Sequence, residues 1–198
     1  MADIKNKIFK AFLQRYQEHH RNVPRSVPQI LRKDRRRLVV LFADLGYTNG
    51  AEIGVRGGDF SLLLCQGVPN LKMICVDPWA RYGGFSQERQ DLYWKQTCEK
   101  LSKYNPDILR MTSMEAINHV PDRSIDFVCI DGDHGFDSCM LDIIHWSKKV
   151  RRGGIVAAHD YGCIPNINKA VDAYTLAHDI RSWYLTREAC ATAFWVNP

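Results

Sequence analysis

The apolar positions of this chain fall into short, nearly continuous runs closed by glycine, proline or charged residues. Runs over 51–55, 71–76, 107–112, 125–130 and 155–158 have the length and branched-residue content of buried strands. Between them, apolar residues recur at helical spacing. That pattern predicts helices over 34–45, from Asp59 through Cys65, 87–101, 114–118, 136–150 and 166–178. Ile4, Ile8, Phe12 and Tyr16 stand four apart and predict an amphipathic helix over 3–19, which Pro24 and Pro28 then break into a connector. Two last runs, 183–186 and 193–196, read as closing strands. Strands alternating with helices predict an α/β fold, a doubly wound and mostly parallel sheet.

The stretch Glu52-Ile53-Gly54-Val55-Arg56-Gly57-Gly58 joins the first strand to the first long helix. Its glycines clear space for a ligand to approach the backbone, and Asp59 is the predicted N-cap. Such a strand, glycine turn and helix form the nucleotide-binding corner of a doubly wound sheet. The spacing is neither G-x-G-x-x-G nor a phosphate loop ending in Lys-Ser/Thr, which argues against a nicotinamide dehydrogenase and a triphosphate cradle. Asp77 closes the next strand, 23 residues after Gly54, where these folds place a carboxylate for ribose hydroxyls. Polar groups also close the later strands: Ser113 and Met114 after the third, Asp131-Gly132-Asp133-His134 after the fourth, His159-Asp160-Tyr161 after the fifth. Open α/β sheets bind ligands at those carboxyl ends.

Composition adds limits. At 198 residues, 45% apolar and 25% charged, the chain suits one globular domain with a short extension. It has no long apolar run and no signal-peptide pattern, so no membrane span and a cytoplasmic setting are expected. Seven scattered cysteines without a C-x-x-C pair read as reduced thiols, most of them buried filler. The net charge of +5 is uneven. Residues 1–50 hold 11 Lys or Arg against 4 Asp or Glu, including Arg35-Arg36-Arg37. A basic arm for nucleic acid is one reading. A solvated helix face covering the fold, or a homodimer contact, is preferred, because no aromatic-basic interleaving accompanies the charge. The loop 80–86, with Tyr82 and Phe85 beside Gly83-Gly84, reads as a lid or a surface turn.

Four stretches in order, the glycine turn, Val76-Asp77-Pro78-Trp79, Ile130-Asp131-Gly132-Asp133-His134 and 153–161, resemble class I S-adenosylmethionine-dependent methyltransferases. The likeness is to the small-molecule type that includes catechol-like and macrolide-sugar O-methyltransferases, and it covers residues 35–198. It implies a Rossmann-like methyltransferase fold with a seven-stranded sheet, a C-terminal antiparallel hairpin and, over 1–34, a basic helical extension. It further implies S-adenosylmethionine held by Glu52, Gly54, Gly57, Gly58, Asp77, Trp79 and Asp131, with Ser113 and Met114 at the adenine. For Trp79 core packing is an equal reading, and for Ser113 an N-cap.

In the catechol-type enzymes the aspartate at Asp131 binds Mg²⁺, and a lysine acts as base where this chain has His134. Asp160 matches a second ligand; Tyr161 replaces an asparagine ligand and is a poor substitute. The resemblance thus gives catalytic candidates His134, Asp131 and His159 and metal candidates Asp131, Asp160 and His159. The metal is Mg²⁺ or, if His159 joins, another divalent cation. A metal-free mechanism on histidine is the competing reading. The expected activity is O-methylation of a small hydroxylated acceptor. N-methylation, RNA methylation through the basic segment and a non-catalytic cofactor-binding module are the alternatives.

Overall fold

The computed structural model describes residues 2–16 and 28–198. A helix, α1 (Ala2–Tyr16), precedes a strand of two residues, β1 (Gln29–Ile30). The rest of the predicted first helix, and the break at Pro24, lie outside the described residues. Then follow α2 (Arg36–Asp44), β2 (Asn49–Ile53), α3 (Asp59–Gly67), β3 (Lys72–Val76), α4 (Gln87–Leu101) and β4 (Asp107–Leu109). The second half comprises α5 (Ser113–Ala116), β5 (Ile125–Ile130), α6 (Phe136–Lys149), β6 (Val150–Tyr161), α7 (Pro165–Ala177), β7 (Trp183–Leu185) and β8 (Ala191–Val196).

Among the described residues the strands form one sheet in the order β1-β7-β8-β6-β5-β2-β3-β4, eight strands rather than the seven expected. The addition is β1, which pairs parallel with β7. Only β8 runs antiparallel to its neighbours, β6 and β7. Each face of the sheet carries its own core. Phe12, Leu38, Phe42, Leu64 and Phe127 fill one, under α1, α2 and α3; Ile143, Trp146, Val171 and Trp195 fill the other, under α6 and α7. Alternate strand residues reach opposite faces, which is why one strand serves both layers. In α1, Phe12 is buried and Phe9 meets Tyr184 edge-on at 5.7 Å, whereas Ile4 is exposed. Among the described residues no helix is long and apolar enough to cross a membrane.

Other details depart from expectation. Gly58, not Asp59, is the N-cap of α3; at φ 75° it adopts the left-handed conformation that glycine tolerates. The helix predicted to run to Val150 stops at Lys149, and Gly153, which has the look of a stop signal after it, lies inside β6. Cys163 and Cys190 form a disulfide, which corrects the reading of all seven cysteines as thiols. The other five are free, and Cys75, Cys129 and Cys139 are buried.

Chain order reverses direction between β2 and β5. From β2 the chain proceeds outward to β3 and β4, and from β5 outward to β6. That switch opens a crevice at the carboxyl ends of the strands.

Candidate functional site

The crevice is a cleft of about 780 Å³ lined from Ser113 and Met114 at one end, past Asp77, to Asp131, His159 and Asp160 at the other. Its floor is the turn after β2. Gly54 has φ 87°, and a Cβ there would lie 2.0 Å from the Asp131 carbonyl oxygen, so only glycine fits. Arg56 holds a left-handed φ of 52° without glycine's freedom. Its carbonyl accepts from Trp79 Nε1 at 2.8 Å and Thr97 Oγ1 at 3.0 Å, which fixes that peptide. Asp77 ties the turn to β3: Oδ2 accepts from the N–H groups of Val55 (3.0 Å) and Arg56 (2.8 Å), and Oδ1 from Trp79 N–H at 2.7 Å. Trp79 itself is fully buried and does not line the cleft. It braces the turn from behind, which is the packing role weighed for it.

Glu52 is 2% exposed beneath this turn, where Ser61 donates a hydrogen bond to its carboxylate. Burial pushes its pKa up to about 8, against the Ser61 bond. At neutral pH it is therefore mostly a neutral acid.

At the β4 end, Thr112 rather than Ser113 caps α5. Its Oγ1 accepts from Glu115 N–H at 3.3 Å, while Glu115 Oε2 accepts from Thr112 N–H at 2.9 Å, a capping box. Ser113 is thereby free to face α6, where its hydroxyl donates to Asp142 and accepts from Trp146 Nε1 at 2.7 Å. Burial raises Asp142 to about 6. Asp142 was missed from sequence. Its one signal was a carboxylate on a helix face that also carries Cys139, Ile143 and Trp146.

At the β6 end the pairing with β8 shifts register between Ala158 and Tyr161, and Asp160 takes φ 65°. An irregularity of this kind re-aims strand side chains. Asp160 Oδ2 lies 3.0 Å from His134 Nε2, and its Oδ1 lies 3.5 Å from His159 Nε2. His159 Nδ1 meets Thr192 Oγ1 at 3.0 Å. Tyr161 turns away, donating to Asp172 Oδ1 at 3.0 Å, so the residue in the asparagine position offers no ligand here. Asp133 accepts from Gly135 N–H in the turn before α6.

Asp131 is held by Arg35, whose Nη1 donates to Oδ2 at 3.0 Å. Burial raises the Asp131 pKa, with His159 and Arg35 opposing. Arg35 was read from sequence only as part of a basic stretch; it stands 96 residues from Asp131, and no local pattern links them.

Ligand atoms of Asp131, His134 and Asp160 all lie within 4.8 Å of one another. Two carboxylates and one imidazole at that spacing fit a divalent ion. His134, not His159, completes the set, which alters the expected trio.

A family model described as a methyltransferase domain matches residues 51–161. Among curated proteins, the uncharacterised protein y4gI of Sinorhizobium fredii is 26% identical over 119 residues. That match covers 55% of this chain and only 12% of the relative, so this chain spans a small part of that protein's length. Among solved structures, the O-methyltransferase NovP superposes with a TM-score of 0.64 at 19% identity, covering 82% of this chain and 77% of that one. An O-methyltransferase from Bacillus cereus in complex with SAH superposes with a TM-score of 0.60 at 14% identity, covering 98% and 90%. At these identities the likeness is one of fold.

Proposed function

Because the chain belongs to the methyltransferase-domain family, we propose that its S-adenosylmethionine-dependent transfer is directed to a hydroxyl oxygen of a small acceptor. The observation that carries this reading is the His134–Asp160–His159 group facing Asp131 across the cleft end. Oxygen acceptors must lose a proton as they attack, and a carboxylate-oriented imidazole can take it.

The cofactor supplies a methyl group on a sulfonium, open to in-line displacement. The chain does the rest. Gly54 and Gly57 admit the ligand to the backbone, whereas Gly58 lies outside the cleft lining and packs against Thr97; Asp77 presents carboxylate lone pairs to the ribose, and Ser113 and Met114 border the adenine end. Asp160 orients His134 at 3.0 Å and stabilises the imidazolium that forms when the acceptor proton arrives. In the competing metal-bound reading, Asp131, His134 and Asp160 would instead hold a divalent ion, and the ion rather than the His134 base would lower the pKa of a bound hydroxyl. Tyr82 and Phe85 on the neighbouring loop line the cleft.

Calorimetric titration of S-adenosylmethionine into chelator-treated protein tests the cofactor half, with Asp77→Ala as control. Micromolar binding, about −8 kcal/mol, that weakens at least about tenfold in Asp77→Ala is expected. Product formation on a panel of hydroxylated small molecules, with and without Mg²⁺ or Mn²⁺, tests the acceptor half. Turnover on amine acceptors or RNA alone would overturn it.

A further inference from the structure

The cleft has a built-in direction. Asp77 closes β3 near its middle, Ser113 and Met114 follow β4 on one side, and Asp131 closes β5 on the other. A ligand whose ribose meets Asp77 extends both ways. Toward β4 the lining includes Met114, Leu141 and the Ser113–Asp142 pair. Toward β5 it includes Arg35. The methionine arm of the cofactor ends in a carboxylate, and burying one without a cation or donors costs several kcal/mol.

Three contacts fix Arg35. Nη1 donates to Asp131 Oδ2 at 3.0 Å, the guanidinium lies 4.6 Å over the Phe60 ring in the first turn of α3, and the backbone N–H donates to Glu188 Oε1 at 3.1 Å. Glu188 is in turn held by Thr186 Oγ1 at 2.7 Å. A guanidinium carries five N–H donors in a planar fork, and one of them is accounted for by Asp131. The side chain is 28% exposed, so part of the fork remains open. Arg56 and Arg81 also line the cleft, but Arg56 lies over the rings of Phe85 and Tyr93 at 5.7 and 5.3 Å, and Arg81 belongs to the loop 80–86 beside Phe85.

We infer that Arg35, which lies outside the family-matched residues, receives the α-carboxylate of the S-adenosylmethionine arm, its plane set by Asp131 and Phe60. This rests on the cofactor reading above. The strap from β1 into α2 is then part of the cofactor site.

The test compares three ligands by calorimetry on the full chain: S-adenosylmethionine, its decarboxylated analogue, and 5′-methylthioadenosine, which lacks the amino-acid arm. Wild type should prefer S-adenosylmethionine over the decarboxylated analogue by roughly 30-fold, the effect of a charge-assisted hydrogen-bonded pair. In Arg35→Ala and Arg35→Gln that preference should collapse toward unity, while 5′-methylthioadenosine binds as in wild type and reports an intact pocket. A preference retained in both variants overturns the inference and leaves the cofactor reading standing. Failure of wild type to bind any of the three ligands overturns both.

Discussion

Glu52 gives the sharpest test of the buried turn. It is 2% exposed, and burial raises its pKa to about 8 from an ordinary 4.5. The folded state therefore keeps a proton that the unfolded chain releases above pH 4.5. Stability falls where the native state binds more protons than the unfolded state, so the contribution is fully present below pH 4.5 and is lost as pH rises through about 8. The slope between those values is about 1.4 kcal/mol per pH unit. Integrated from pH 5 to pH 9, the loss is about 4 kcal/mol, a large share of the stability of a single domain. Glu52→Gln keeps the shape and removes the titration. Urea unfolding of both proteins at one-unit pH steps is the assay. Wild type should fall by about 4 kcal/mol more than Glu52→Gln over that range, with the two curves closest at pH 5. Parallel curves would refute the reasoning and mean that Glu52 is ionised in the fold, balanced by Arg35.

Three further expectations follow from other contacts. Gly54→Ala should cost about 3 kcal/mol or more, because the new Cβ meets the Asp131 carbonyl at φ 87°; thermal melts read this, and an unchanged melting temperature would refute it. Asp126 accepts from Thr48 N–H, Asn49 N–H and Arg151 Nε; burial pushes its pKa up, but these donors hold it below the ordinary value. Its contribution is thus present above that ordinary value and lost as pH falls through the folded one. Asp126→Asn should cost about 2 kcal/mol near neutrality and flatten the acid side of the stability profile. Reducing the Cys163–Cys190 bond, which spans 27 positions, should lower stability by about 3.5 kcal/mol by chain entropy. A Cys163→Ser, Cys190→Ser double variant insensitive to reductant checks that the effect is this bond.

Most of the fold was legible because its strands are buried on both faces and read as continuous apolar runs, from 71–76 through 125–130. The strand ends carried the site as well. Asp77, Asp131 and Asp160 all line the cleft where the sequence reading put them. What escaped depends on distant partners. Gln29 and Ile30 form a strand only because β7 offers an edge, and two residues have no periodicity. Cys163 and Cys190 meet because the loop after β6 and the turn into β8 converge, which no spacing rule encodes. Gly153 looks like a helix stop, yet it lies inside β6, and at its neighbour Gly154 a Cβ would meet the Asp126 carbonyl at 2.4 Å. Close backbone packing selected that glycine. Trp79 was ambiguous because aromatic burial and ligand cover leave the same trace in a sequence. Ser113 lost the cap to Thr112 because Glu115 lies three residues beyond Thr112 and completes the reciprocal bonds.

The two-residue β1 has a consequence for the company this protein keeps. It terminates one side of the sheet, and β4, with three residues, terminates the other. A strand in another molecule needs a row of unpaired amides to dock on, and among the described residues the sheet offers only stubs at both margins. Blunted margins of this kind discourage strand-by-strand polymerisation. The sheet is thereby insulated from the intermolecular growth that long parallel strands invite, and association between copies is left to helical and loop surfaces.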